Sequence, residues 1–160
     1  MRVSDIRIEQ WDDSNERWAQ LVELLEREDQ LRWILPEDGP LRADAHVLVA
    51  LEADSVVGFL AFIVQEIGPP DGCPPLGLTE AKVLAFGVRE DRRRSGIGRA
   101  LQLRLLERAT ELGCYQARSV TGVDRVANLR LKLALGFAVS PTIRRLRDGD
   151  RPTFIFVKRL

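Results

Sequence analysis

The feature that most constrains the fold is a junction near the middle of the chain, which reads "AKVLAFGVREDRRRSGIGRALQ" from Ala81 to Gln102. Its first part, Ala81 to Val88, is almost wholly apolar. An apolar run of this kind predicts a central strand that is covered on both faces of a sheet. A helical pattern begins near Gly96, after a basic, glycine-containing loop. The junction therefore predicts a sheet with helices packed on it.

The helix after the junction is predicted from about Gly96 to Leu112. Apolar residues recur along it at intervals of four and three residues, which places them in one stripe. The stripe consists of Ile97, Leu101, Leu105, Ala109 and Leu112. Because a continuous apolar stripe must be buried, this helix is expected to pack against the sheet.

The N-terminal part of the chain predicts one strand and two helices. Asp5 to Trp11 alternates like a strand. A first helix is expected from about Ser14 to Glu28, behind a capping box formed by Asp13 and Glu16. A short second helix is expected in "QLRWILPEDGP", where Pro36 would end it.

The remaining segments complete one mixed sheet. "HVLVALEADSVVGFLAFIVQEI" predicts a hairpin, and Gly68 to Glu80 is a loop rich in proline and glycine. "YQARSVTG" is a fifth strand, Asp124 to Leu135 is a helix, and "FAVSPTIRRL" and "TFIFVKRL" form a final hairpin around "RDGD". The predicted fold is a single α/β domain over residues 1–160, with about seven strands and four helices in the order β-α-α-β-β-β-α-β-α-β-β.

The charge balance confines any anion site to a local cluster. Lys and Arg together number 24, as do Asp and Glu. A chain without net charge has no overall field that attracts nucleic acid or an anionic membrane. The longest apolar stretch, Val56 to Val64, is too short to span a bilayer. Neither a nucleic-acid partner nor a membrane partner is therefore expected.

Cysteine and histidine are scarce in this chain. Cys73 and Cys114 lack the spacing of metal ligands, and two cysteines are too few for a disulfide framework. His46 is the only histidine, and its place before an apolar run favours a structural role. The N-terminus shows no signal-peptide pattern. These features predict a cytoplasmic protein in a reducing environment, with no bound metal.

The loop of the junction has the chemistry of an anion site. The first turn of a helix exposes backbone N–H groups without internal partners, and the helix dipole adds positive charge there. Gly96 and Gly98 would let a phosphate approach the backbone, and the arginines from Arg92 to Arg94 surround it. A solvated basic turn is the alternative interpretation. The spacing matches neither the loop of nucleotide triphosphatases nor the dinucleotide fingerprint.

The pattern Arg93-x-x-Gly96-x-Gly98 resembles the R/Q-x-x-G-x-G/A motif of the GNAT superfamily of N-acetyltransferases. The strand before it, the helix after it and the pair Gly136-Phe137 extend the resemblance from Val83 to Phe137. The resemblance implies acetyl-CoA as cosubstrate, a splay between the fourth and fifth strands, and transfer of the acetyl group to a primary amine. The acceptor would be a small molecule or a peptide, and a homodimer is left open.

The resemblance also implies which residues bind the cosubstrate. The pantetheine arm would pair with the backbone at Phe86, Gly87 and Val88, and an N–H group of Phe86 or Gly87 would polarise the acetyl carbonyl. Asn128 is a further candidate contact. The pyrophosphate would lie on the loop and helix start, at Arg93, Arg94, Ser95, Gly96, Ile97, Gly98, Arg99 and Ala100.

The resemblance leaves the general base and the general acid open. Strand alternation would place Glu80 on the face that carries Phe86 and Val88, which makes Glu80 a candidate base. A loop carboxylate in water is the alternative, and Glu66 is a second candidate base. The family often has a tyrosine four residues before the glycine of the Gly-Phe pair, and Lys132 stands there in this chain.

Lys132 is therefore either the acid or a surface lysine. The only tyrosine is Tyr115. Acids beside Trp33 in the segment Glu26 to Gly39 would suit a cationic acceptor, although a solvated acidic turn explains them equally well. The missing tyrosine keeps a second function open, an acetyl-CoA-binding module without transferase activity.

Overall fold

A computed structural model describes residues 5–68 and 74–160. The strands are β1 (Ile6–Trp11), β2 (His46–Glu52), β3 (Ser55–Glu66), β4 (Thr79–Val88), β5 (Gln116–Gly122), β6 (Ala138–Leu146) and β7 (Gly149–Arg159). The α-helices are α1 (Trp18–Arg27), α2 (Ile97–Glu111) and α3 (Val126–Ala134). Short 3₁₀ turns cover Leu31–Trp33, Pro36–Asp38 and Glu90–Arg92.

The strands form one seven-stranded sheet in the order β1-β2-β3-β4-β5-β7-β6. All neighbours are antiparallel except β4 and β5, which are parallel. Helix α2 makes the crossover between these two strands, as a parallel connection requires. The predicted mixed α/β fold is confirmed, and β4 lies at the centre of the sheet as its apolar sequence indicated.

Helices cover both faces of the sheet. On one face, Leu21, Leu24 and Leu25 of α1 pack in a cluster that includes Ala85 of β4. On the other face, the predicted stripe of α2 packs in a cluster that includes Ala81. Ile97, Leu101, Leu105 and Ala109 of that stripe are at most 1% exposed. Full burial of one leucine contributes about 1.5–3 kcal/mol, so these stripes hold the helices on the sheet.

The predicted capping box of α1 is wrong. The helix begins at Trp18, and its N-cap residue Arg17 makes no side-chain capping hydrogen bond. The preceding residues form side-chain turns instead: the Ser14 N–H donates to Asp12 at 2.9 Å, and the Arg17 N–H donates to Asn15 at 2.9 Å. Short Asp and Asn side chains compete with helix formation in this way, and they delay the start of the helix.

The predicted second helix is wrong as well, because its segment forms two 3₁₀ turns. Pro36 opens the second turn rather than ending a helix. A proline disfavours helical conformation in the residue before it, and Leu35 is accordingly non-helical, with a ψ angle of 80°. The chain thus has three α-helices in its described part, where four helices were predicted.

Part of the predicted loop from Gly68 to Glu80 lies outside the described residues, and so does Cys73. Residues 74–78 contain neither helix nor strand, and β4 begins at Thr79. Within the described ranges, no helix has the length and apolarity needed to cross a membrane. The same ranges contain no cluster of three or more His, Cys, Asp or Glu side chains suited to a metal ion.

Candidate active site

An irregularity in β4 opens the sheet. Ala85 lies opposite Ala61 of β3, whereas Val83 lies opposite Phe62, so Leu84 is an extra residue in β4. A bulge of this kind bends its strand and shifts the alternation of side chains by one position. Accordingly, β4 pairs with β5 only over residues 80–82, opposite residues 116–118. The predicted splay between the two strands begins beyond this point.

The splay forms a cleft of about 950 Å³. Its walls come from the second half of β4, the loop and first turn of α2, β5, the start of α3 and the segment after α1, with single residues from β6 and β7. Ser95 and Ala100 do not line the cleft. The predicted cosubstrate residues that do line it are Phe86, Gly87, Val88, Arg93, Arg94, Gly96, Ile97, Gly98, Arg99 and Asn128.

The start of α2 leaves its backbone N–H groups free for an anion. Gly96 is the N-cap residue, with a φ angle of 86° that suits glycine. It supplies no side-chain cap, and the first turn contains no acidic residue. Ser95 does not cap the helix either, because its hydroxyl donates to the Arg92 carbonyl. These N–H groups are therefore available to a ligand.

Gly98 brings the helix start close to β4. A Cβ atom at Gly98 would lie 3.3 Å from the Phe86 ring, 3.6 Å from Leu131 and 3.7 Å from Val88. The helix N-terminus thus faces the same end of the cleft as the last residues of β4. Because Gly98 has no side chain, a narrow space stays open between the first turn of α2 and the side chains of Phe86 and Val88.

Positive charge is concentrated in the cleft, although the chain as a whole has no net charge. Seven arginines and three carboxylate side chains line it among the described residues. Two of the arginines are paired: Arg92 with Glu52 at 2.7 Å and Arg93 with Glu28 at 3.0 Å. Over the described ranges, Arg94, Arg99 and Arg125 form no ion pair. The local excess of positive charge suits a polyanionic ligand.

Asn128 presents an unsatisfied acceptor in the cleft. Its Oδ1 atom is buried and has no hydrogen-bond partner among the described residues. A buried acceptor without a partner costs about 1–3 kcal/mol, so a donor from a ligand would be stabilising here. This observation fits an amide-containing ligand beside α3.

Gln30 is a site residue that sequence reasoning missed. The Phe86 N–H donates to Gln30 Oε1 at 2.8 Å, and Gln30 Nε2 donates to the Phe86 carbonyl at 2.9 Å. Next to it, Arg93 Nε donates to the Val88 carbonyl at 3.1 Å. No local pattern reveals this contact, because Gln30 and Phe86 are 56 residues apart.

Glu80 lies outside the cleft. Its side chain is 3% exposed and 3.5 Å from Arg118, and it accepts hydrogen bonds from Gln65 at 2.9 Å and Gln116 at 2.7 Å. These contacts belong to the closed part of the sheet, where β4 and β5 still pair. The alternative of a loop carboxylate in water is therefore wrong. Glu66, the second candidate base, is exposed at the end of β3 and does not line the cleft either.

The bulge explains why the alternation argument for Glu80 is wrong. Ala81 before the bulge and Phe86 and Val88 after it all pack with the α2 cluster, although Phe86 lies five positions after Ala81, an odd spacing that would place them on opposite faces of a regular strand. Glu80, the neighbour of Ala81, therefore faces the opposite side of the sheet. Its role as base stays a prediction.

Lys132 is buried rather than on the surface. It is 0% exposed, and its Nζ donates to Gln102 Oε1 at 2.7 Å and lies 4.5 Å from the centroid of the Phe137 ring. Burial lowers the pKa of Lys132 to about 7. Lys132 does not line the cleft, and neither does Tyr115. The role of Lys132 as acid stays a prediction.

Trp33 lies between cationic groups at the cleft. The guanidinium carbon of Arg32 is 5.0 Å from the Trp33 ring centroid, and that of Arg144 on β6 is 5.1 Å from it. All three residues line the cleft. The sequence predicted acidic side chains beside Trp33, but the groups in contact with its ring are two arginines. The surroundings of Trp33 are therefore more positive than the sequence indicated.

Known protein structures share this architecture. Arabidopsis thaliana NAA60 in complex with acetyl-CoA aligns with a TM-score of 0.73 at 15% identity, over 97% of this chain and 99% of that chain. The ribosomal-protein-S18-alanine N-acetyltransferase from Escherichia coli aligns with a TM-score of 0.66 at 18% identity, over 96% of this chain and 93% of that chain. The aminoglycoside acetyltransferase meta-AAC0020, from an uncultured soil metagenomic sample, aligns with a TM-score of 0.69 at 18% identity, over 90% of this chain and 95% of that chain. At these identities the likeness shows the fold.

The sequence itself supplies the family. No curated protein matches the chain. Residues 4–146, however, match the family described as "Acetyltransferase (GNAT) family". This match spans most of the chain and includes the splayed strands, the loop and the start of α2. The chain therefore belongs to the GNAT family of acetyltransferases.

Proposed function

We propose that this protein transfers the acetyl group of acetyl-CoA to a primary amine. The observation that carries the proposal is the cleft between β4 and β5, with an uncapped helix start and unpaired arginines at its end. An uncapped helix N-terminus with positive charge around it suits a pyrophosphate. The cosubstrate would be held there by backbone N–H groups from the first turn of α2, with Arg94 and Arg99 beside it.

The backbone of β4 supplies the group that would polarise the acetyl carbonyl. The Phe86 N–H faces the cleft, since its hydrogen-bond partner is Gln30 rather than a strand. In the proposed step the amine nitrogen attacks the carbonyl carbon, a C–N bond forms and the C–S bond breaks. The CoA thiolate leaves and gains a proton, while the amine loses one. An N–H group aimed at the developing oxyanion would lower the barrier without any side chain.

The proton transfers remain proposals for Glu80 as base and Lys132 as acid. Neither side chain lines the cleft, so kinetics must test them. If Glu80 acts as base, Glu80→Gln lowers kcat by about 10²–10⁴-fold at unchanged acetyl-CoA affinity. If Lys132 acts as acid, Lys132→Ala lowers kcat by roughly 10–100-fold, because a thiolate can also leave without help. A variant that keeps its fold and its kcat removes that residue from the reaction.

The acceptor proposed here carries a negative group near its amine. Arg32 and Arg144 beside Trp33 support this, since Arg binds carboxylates through paired hydrogen bonds. Free amino acids and acidic peptide N-termini fit this description better than polyamines. The cytoplasmic location expected from the cysteine content stays a prediction.

An acceptor screen tests the proposed function. Acetyl-CoA is incubated with the protein and with amino acids, acidic and basic peptides, polyamines or aminoglycosides, and CoA release is followed with a thiol reagent. We expect release with acceptors that carry a carboxylate, and mass spectrometry should locate the acetyl group on nitrogen. Acetyl-CoA binding without release for any amine would favour the alternative, a binding module. Absence of acetyl-CoA binding would contradict both.

A further inference from the structure

The backbone groups of β4 that face the cleft are already hydrogen-bonded to side chains. Gln30 bonds both the N–H and the carbonyl of Phe86, at 2.8 Å and 2.9 Å. Arg93 bonds the Val88 carbonyl at 3.1 Å, and both carboxylate oxygens of Glu28 hold Arg93 at 3.0 Å. Side chains thus occupy this edge of β4 where a neighbouring strand is missing.

The chemistry of Gln30 explains why it binds there. A backbone N–H or carbonyl that is shielded from water must find a partner, and β5 has turned away from Phe86. A carboxamide has the same donor and acceptor groups as a peptide unit. Gln30 therefore replaces one rung of strand pairing and satisfies both groups of Phe86.

The end of α1 aims Gln30 at β4. Asp29 has a φ angle of 53°, in the left-handed region that a residue other than glycine rarely adopts. The Gln30 N–H then donates back to the Leu25 carbonyl at 2.9 Å, which ends the helix. The turn at Asp29 thus places Glu28 beside Arg93 and Gln30 beside Phe86.

A single N–H group cannot donate fully to two acceptors. If the Phe86 N–H polarises the acetyl carbonyl, Gln30 Oε1 must leave it. We propose that Glu28, Gln30 and Arg93 form a latch. In the free protein, Gln30 and Arg93, the latter held by Glu28, occupy the backbone groups of Phe86 and Val88 that face the cleft. Acetyl-CoA displaces these side chains when it binds. This inference rests on the proposed function and adds Gln30 as a residue that sets the affinity for the cosubstrate.

The latch predicts a specific cost. The latch must open its three hydrogen bonds to the backbone of β4 before the ligand binds. The apparent affinity is then reduced by the factor that gives the fraction of open protein. Gln30→Ala removes the competing carboxamide, so acetyl-CoA should bind about tenfold more tightly in isothermal titration calorimetry. Gln10→Ala is the matched control, because the Gln10 amide contacts His46, outside the residues that line the cleft. Gln10→Ala should leave the affinity unchanged.

A second measurement examines the contact directly. The Phe86 amide should exchange with solvent hydrogen more rapidly in free Gln30→Ala than in the free wild-type protein, as followed by NMR. If Gln30→Ala fails to fold, Gln30→Asn serves instead, since its shorter side chain cannot reach both groups of Phe86. It should give the same direction of change in both measurements.

The outcomes separate the latch from the proposed function. Tighter binding together with faster Phe86 exchange supports the latch. Equal or weaker binding by the folded Gln30 variants overturns it, because Gln30 then does not compete with acetyl-CoA. If neither wild-type protein nor variants bind acetyl-CoA, the proposed function itself fails, and the displacement fails with it.

Discussion

Lys132 shows how one residue can differ from the expectation that its sequence position raises. The family position implies a proton donor, yet its amine lies between Gln102 and the Phe137 ring, away from solvent. A charge without a carboxylate partner in such a place is unfavourable, so burial lowers the pKa of Lys132 to about 7. This shift links the stability of the protein to pH.

The unfolding free energy should rise with pH because of Lys132. Its ordinary pKa of 10.5 applies to the unfolded chain and about 7 applies to the folded one. Between these two values the unfolded chain binds a proton that the folded chain does not, so each step upward in pH favours folding. Below about pH 7 both states hold the proton, and the contribution becomes constant.

Lys132→Met tests this linkage. Urea denaturation between pH 7 and pH 9.5 should show a rising stability for the wild-type protein and a smaller rise for Lys132→Met. The variant should be the more stable protein at pH 7, since methionine occupies similar volume without an amine to desolvate. Lys158→Met, at a half-buried lysine on β7, is the control and should keep the wild-type slope. Equal slopes for all three proteins would contradict a lowered pKa of Lys132.

At the scale of elements, the loop and the first turn of α2 form the part of the cleft where we propose that the pyrophosphate binds. Gly96 takes the positive φ angle of the N-cap, and Gly98 keeps the space toward Phe86 open. Arg94 also has a positive φ angle, 63°, although it is not glycine. Strained backbone of this kind clusters at functional sites. The positive φ angle of Arg94 therefore supports the proposal that the backbone N–H groups of this loop bind a ligand.

Gly98→Asp should weaken acetyl-CoA binding by about tenfold or more, or about 1.4 kcal/mol. The added carboxylate lies at the helix start and repels a phosphate, while it interacts favourably with the helix dipole and so preserves α2. Gly98→Asn is the matched control, because it adds the same volume without charge. Titration calorimetry should show a larger loss for Asp than for Asn. Equal losses would assign the effect to volume, and no loss in either folded variant would remove the phosphate from this helix start.

At the scale of the whole molecule, charge is distributed unevenly. The chain has no net charge, yet the described lining of its cleft holds seven arginines and three carboxylates. Zero net charge limits nonspecific attraction, whereas the excess of arginines in the cleft favours anions over a short range. The affinity for a negatively charged cosubstrate should therefore fall as the salt concentration rises, even though the net charge of the chain is zero.

Raising the NaCl concentration from about 0.05 M to about 0.5 M should weaken acetyl-CoA binding by about tenfold, because the Debye length falls to roughly 4 Å and charges farther apart are screened. S-acetylpantetheine, which lacks phosphate groups, is the control ligand and should lose much less affinity. Competition titrations at both salt concentrations measure the two ligands on the same protein. Equal losses for both ligands would contradict an electrostatic role of the cleft arginines.

Local sequence patterns determined most helices and strands and the loop at the start of α2. The stripe of α2 and the apolar run of β4 are local patterns that indicate a helix and a strand. Burial of their apolar side chains is favourable whatever element they pack against. The geometry of the loop at the start of α2 could likewise be predicted, because Arg93, Gly96 and Gly98 are close in sequence and a helix start brings them together. Its binding of a phosphate stays a prediction. The turns around α1 were less predictable, because Asp and Asn side chains there stabilise several local conformations.

Only the tertiary structure decided the contacts between distant segments. The bulge at Leu84 turned Glu80 away from the face of Phe86, and no residue pattern indicates an extra residue in one strand. The burial of Lys132 depends on Gln102 of another helix, and the partner of Phe86 is Gln30, 56 residues away. The reason is that local backbone preferences are set by neighbours in the sequence, whereas these contacts depend on how the helices pack on a bent sheet.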